Sequence, residues 1–80
     1  MNQSRDFLWT LFPSIGDNKY WLSIPYRFFT EDEIRILKSP PVMSPRNTWT
    51  SNDTEIYIEF STLRQGQRFV ERALNELGLE

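Results

Sequence analysis

Residues Glu55-Ile56-Tyr57-Ile58-Glu59-Phe60 run straight into Ser61-Thr62-Leu63-Arg64-Gln65-Gly66-Gln67-Arg68-Phe69-Val70-Glu71-Arg72-Ala73-Leu74-Asn75-Glu76-Leu77, and the hydrophobic period changes from two to 3.6 within a few residues. Ile56, Ile58 and Phe60 alternate with Glu55, Tyr57 and Glu59, the pattern of a half-buried strand. Phe69, Val70, Ala73, Leu74 and Leu77 then recur at helical spacing. A strand with an amphipathic helix packed on Ile56, Ile58 and Phe60 specifies an α+β core. Thr62 with Gln65 three residues on has the spacing of a capping box, and Gly78 stands where a left-handed C-cap is wanted.

Upstream, Ser51-Asn52-Asp53-Thr54 is polar, with an Asn-Asp centre that tolerates positive φ, and suggests a tight hairpin joining Glu55 to a weakly alternating run around Trp49 (residues 46–50). Ser39-Pro40-Pro41-Val42-Met43-Ser44-Pro45 cannot be helix interior, because its prolines remove donors and fix φ; it is expected to cross the surface as an extended connector. Thr30-Glu31-Asp32-Glu33 presents a second capping box, whose acidic first turn suits the helix dipole, so a short helix is expected over residues 31–38. In the aromatic run 19–29, Tyr20, Leu22 and Ile24 alternate with Trp21 and Ser23, and Pro25 ends that strand or puts it at an edge. Ser4 can cap a helix carrying Phe7, Leu8, Leu11 and Phe12 on one side, stopped by Pro13. The expected order is α-β-α-β-β-α, with a small, mainly antiparallel sheet of about three strands packed against helices. The chain is expected to be one small domain over residues 1–80, with Leu79 and Glu80 carrying no weight in that reading; there is no internal repeat or low-complexity tract.

Eighty residues without cysteine must stabilise themselves through dense packing. The absence of cysteine also excludes disulfides and thiolate chemistry, and the absence of histidine removes the commonest general base and metal ligand. Glu55 and Glu59 share a strand face but lie roughly 13 Å apart along it, against the about 5 to 9.5 Å of glycosidase pairs. Neither Gly-x-Ser-x-Gly nor Ser-x-x-Lys occurs. The expectation is a non-catalytic protein with no cofactor and no metal site. A formal charge of −2 argues against a basic footprint over the whole surface. No apolar run approaches the ~20 residues of a membrane helix. The opening residues are too short and too acidic for a secretory signal, so no membrane association and a cytoplasmic address are expected.

Two surfaces remain as binding candidates. Trp21, Tyr26, Trp49 and Tyr57 are more rings than one small core needs, and Arg27 and Arg46 lie close to them in sequence. Trp, Tyr and Arg are the residues enriched in interface hot spots. On the expected pairing, Tyr57 and Trp49 share a sheet face opposite Ile56 and Ile58, which a partner protein would cover unless the segment 7–12 does. Arg64, Arg68 and Arg72 form the second candidate, a stripe at i, i+4 and i+8 that with Thr62 and Gln65 near the helix N-terminus suits phosphate, a nucleic-acid backbone or another polyanion. Against it, helical spacing allows Arg68 to pair with Glu71 and Arg72 with Glu76. Interleaved rings and arginines also suit single-stranded nucleic acid, although Glu55 and Glu59 beside Tyr57 repel phosphates there. The preferred expectation is an interaction domain for another protein, with polyanion binding as the alternative, in a monomer or a weak homodimer.

Overall fold

A computed structural model describes residues 9–78 of the chain. The sheet has four antiparallel strands, β1 (Phe12–Pro13), β2 (Tyr20–Pro25), β3 (Thr48–Ser51) and β4 (Glu55–Phe60), in the spatial order β1-β2-β4-β3. Two helices, α1 (Glu31–Leu37) and α2 (Leu63–Leu77), complete the α+β fold, and a 3-10 turn (Tyr26–Phe28) follows β2. The order is therefore β-β-α-β-β-α. The expected N-terminal helix lies partly outside the described residues, and Phe12, placed in that helix by its spacing, is instead paired opposite Trp21 in β1.

The central ladder joins β2 to β4, setting Leu22 opposite Ile58, Ile24 opposite Ile56 and Tyr20 opposite Phe60. Directly opposed residues in an antiparallel pair share a face. The apolar members of both strands thus form one surface, and Leu22, Ile24, Ile56, Ile58 and Phe60 are all buried there. Alternate residues Trp21, Ser23, Tyr57, Glu55 and Glu59 point to the other face. Pro25 stands at the last pair of β2, where a missing donor costs least.

Both helices contact one another, and α2 packs on β2 and β4 by inserting Phe69 and Ala73, each fully buried. The Phe69 ring meets Phe60 at 5.5 Å between centroids. Gly66 is buried where a Cβ would stand 2.6 Å from a Leu11 methyl and 3.2 Å from the Phe60 ring, so the first turns of α2 approach the sheet only because this residue has no side chain. Leu11 and Trp9 pack against the core cluster, the Trp9 ring edge-on to Phe29, so this part of the chain lies on the helical side of the sheet, and among the described residues the Trp21–Tyr57 face is uncovered.

The caps form largely as spaced. Thr30 Oγ1 accepts from the Glu33 amide and Glu33 reaches back to the Thr30 amide. Thr62 Oγ1 accepts from the Gln65 amide, but Gln65 Oε1 accepts from the Ser61 amide, one residue before the cap. Gly78 closes α2 with φ of 72°, as expected of a left-handed cap.

Two expectations require correction. The proline segment is a succession of turns, not an extended crossing: Met43 N–H donates to the Ser39 carbonyl, and Val42 and Met43 are buried in the core. Its apolar pair joins the core cluster, and burial outweighs proline's extended preference. The hairpin between β3 and β4 uses side-chain bonding in place of positive φ: Asn52 Oδ1 accepts from the amides of Thr54 and Glu55 and from Thr54 Oγ1. Among the described residues the non-glycine with positive φ is Asn18, in the turn before β2.

Truncating the largest fully buried side chain tests this packing. Phe69→Ala is expected to lose about 3–5 kcal/mol, a large part of the total stability of so small a domain, visible as a much lower urea midpoint with an unchanged slope.

Candidate functional site

The four aromatic candidates do not form one patch. Trp21 and Tyr57 lie on the uncovered face, as do Thr48 and Thr50. Trp49 is opposite Ile58 and so belongs to the core side, at the sheet edge, 38% exposed. The expected sharing of a face by Tyr57 and Trp49 is thus overturned by a register that places Thr50 opposite Tyr57. Tyr26, in the 3-10 turn, packs against the core cluster under the Lys38 ammonium, and its hydroxyl is buried without a hydrogen bond.

On the uncovered face Glu55 organises a small network. Ser23 Oγ donates to Glu55 Oε1 and Tyr57 Oη to Glu55 Oε2, each at 2.7 Å. These bonds, the one from Ser23 above all, hold the Glu55 carboxyl below its ordinary range, while the bond to Glu55 raises the Tyr57 phenol. At the other end of β4, Lys19 Nζ meets Glu59 Oε2 at 2.6 Å, and this bond and charge raise the lysine.

A cleft of about 470 Å³ opens at that end. Arg68, Arg72 and Gln65 line it from α2. Arg46, Ser44, Asn47 and Pro41 contribute from the connector, and Lys19, Glu59 and Thr48 from the sheet. Four cations therefore face one carboxylate, and that carboxylate is already bound to Lys19. The pairs expected along α2, Arg68 with Glu71 and Arg72 with Glu76, are not made; among the described residues the ion pairs are Lys19–Glu59 and Arg35–Asp32. Arg72 lies with its guanidinium 5.9 Å from the centre of the Phe69 ring, and its Nε is buried without a hydrogen-bond partner. A buried donor left unpaired costs about 1–3 kcal/mol, and converged like charges add repulsion, which an anion in the cleft would offset.

Of the expected anion-site residues, the structure gathers Gln65, Arg68 and Arg72 in the cleft. Thr62 spends its hydroxyl on the cap and Arg64 points elsewhere on the exposed surface. Lys19, Ser44, Arg46 and Asn47 join the cleft through tertiary contact, and no local sequence spacing marks them as anion ligands. Among the described residues no three potential metal ligands converge, and no helix is long and apolar enough to cross a membrane. No protein family, curated protein or solved structure matches the chain.

The Glu55 network has a defined pH signature. A lowered carboxyl contributes stability that is present above its unfolded value and lost as pH falls through the folded value; a raised phenol contributes stability present below its unfolded value and lost as pH rises through the folded one. Tyr57→Phe should therefore lower the denaturation midpoint most between the carboxylate and phenol ranges, with the difference from wild type shrinking at both extremes. Ser23→Ala should raise the Glu55 titration midpoint, followed by carboxyl NMR, more than Tyr57→Phe does.

Proposed function

We propose that the protein is a non-catalytic binding domain whose cleft receives the phosphates of a polyanion, a single strand of nucleic acid being the class that suits it best. The observation that carries this reading is the convergence of Arg46, Arg68 and Arg72, unpaired among the described residues, in one cleft of a chain whose net charge is −2. Its volume lies within the about 300–1,000 Å³ of small-ligand pockets, enough for a phosphate with part of its nucleoside. Arginine's planar fork is suited to paired phosphate oxygens.

A single strand is favoured over a duplex because the cleft borders the uncovered face. Glu59, which lines it, is directly opposite the half-buried Trp21, and unpaired bases stack on aromatic rings. Lys19 neutralises Glu59 at this end, whereas the persistent charge of Glu55 repels phosphates at the far end. The backbone is thus confined to the Trp21 side.

A second reading has its own support. Phe12, 58% exposed, lies opposite Trp21, and Trp21 and Tyr57 extend this ring-bearing surface across the sheet, which suits a partner protein. In that reading Trp49 and Tyr26 belong to other surfaces.

Titration with oligothymidylate at low salt should shift amide resonances of residues 44–48 and 61–72, with a salt slope of about −2 if some three phosphates are neutralised. Arg68→Ala and Arg46→Ala should each weaken binding by about ten- to a hundredfold, the equivalent of about 1.5–3 kcal/mol for a charged hydrogen bond. An unmoved spectrum at low salt would sink the polyanion reading. Capture of a protein partner lost in both Trp21→Ala and Tyr57→Ala, and indifferent to oligonucleotide, would establish the second.

A further inference from the structure

Among the described residues nothing pairs with the outer edge of β3, and all four of its residues are exposed. Natural edges are usually blunted by charge, proline or a bulge, yet Thr48-Trp49-Thr50-Ser51 carries none of these. Asn52 N–H donates to the Glu55 carbonyl. By the alternation of an antiparallel ladder, Thr48 and Thr50 also turn their backbone groups toward β4, while Trp49 and Ser51 turn theirs outward.

We infer that this edge pairs with the same edge of a second copy, antiparallel and centred on Trp49, to join two sheets into one of eight strands. Three features select a second copy as the occupant. The edge is palindromic, so a dyad at Trp49 sets Thr48 opposite the partner's Thr50 twice on the uncovered face, a favourable cross-strand pair. Trp49 has outward backbone groups, so Trp49 and the partner's Trp49 exchange two hydrogen bonds at the dyad, and their exposed rings meet on the helical side. The flanks are oppositely charged, Arg46 before the strand and Asp53 after it, so antiparallel pairing brings unlike charges toward each other. Every cross-strand pair keeps each residue on its own face, as a continuous sheet requires.

So short an edge buries less than a standard interface, and the dimer is accordingly weak and concentration-dependent. Sedimentation should show the average mass rising with concentration for wild type and for Arg68→Ala, but remaining that of a monomer for Trp49→Lys with an unchanged circular dichroism spectrum. Because the chain has no cysteine, register can be read directly. An oxidised mixture of Thr48→Cys and Thr50→Cys chains should cross-link to a mixed dimer, since these positions form a non-hydrogen-bonded pair with Cα atoms about 4.5 Å apart. Either variant alone should cross-link poorly, its equivalent positions being about 8 Å apart. A mass that stays monomeric at all concentrations, or cross-linking that is equal in the single variants and the mixture, overturns the proposal.

Discussion

The ladder between β2 and β4 is the constraint on which the rest of the molecule depends. Their register sets Tyr20, Leu22 and Ile24 of one strand against Phe60, Ile58 and Ile56 of the other, on one face. A slip by one residue would turn Glu55, Tyr57 and Glu59 into the helical layer and expose Ile56, Ile58 and Phe60. Uncompensated burial of two carboxylates is far more costly than any hairpin preference. With this register set, α2 has one apolar surface to cover, and Phe69 and Ala73 reach it at the close approach that Gly66 permits. Val42 and Met43 join the same core.

Charge is distributed by equally local rules. Glu31, Asp32 and Glu33 gather in the first turn of α1, where the helix dipole favours them, whereas the first turn of α2 holds no acid. Phe69 and Ala73 turn into the core, and Arg68 and Arg72, their immediate neighbours on the helix, are left at the boundary between core and solvent. There the connector supplies another arginine, and the available carboxylate is committed to Lys19. An acidic chain thereby acquires a cationic corner through packing geometry, with no basic run in its sequence.

What could be read in advance was whatever depends on near neighbours. The Thr30 capping box, the span of α2 and the alternation of β4 are each written within a few residues. β1 could not be read that way, because two residues containing a proline become a strand only by lying beside Tyr20 and Trp21. Trp49 shows the limit most clearly. Its alternation with Thr48 and Thr50 was legible, but its face depends on which residue of β4 it opposes, and that is decided by Asn52 binding the turn through its side chain. The cleft divides in the same manner: Arg68 and Arg72 share a helix side by spacing alone, whereas Arg46 and Lys19 reach them only through the folded connector and the β2–β4 ladder.

The asymmetry of the two layers accounts for the position of the cleft. Both helices and the described N-terminal residues pack on one side of the sheet, so that side can offer a ligand only what protrudes at its margins, namely the arginines of α2. The other side, uncovered among the described residues, offers Trp21 and Tyr57, but its carboxylates would repel an anion wherever they are not neutralised. Lys19 neutralises Glu59 at one end, while Ser23 and Tyr57 stabilise the charge of Glu55 at the other. The end of β4 near Glu59 is consequently the place where protruding cations of the covered side adjoin a neutralised, ring-bearing part of the uncovered one. A ligand bearing both charge and flat apolar surface would find both complements at that corner.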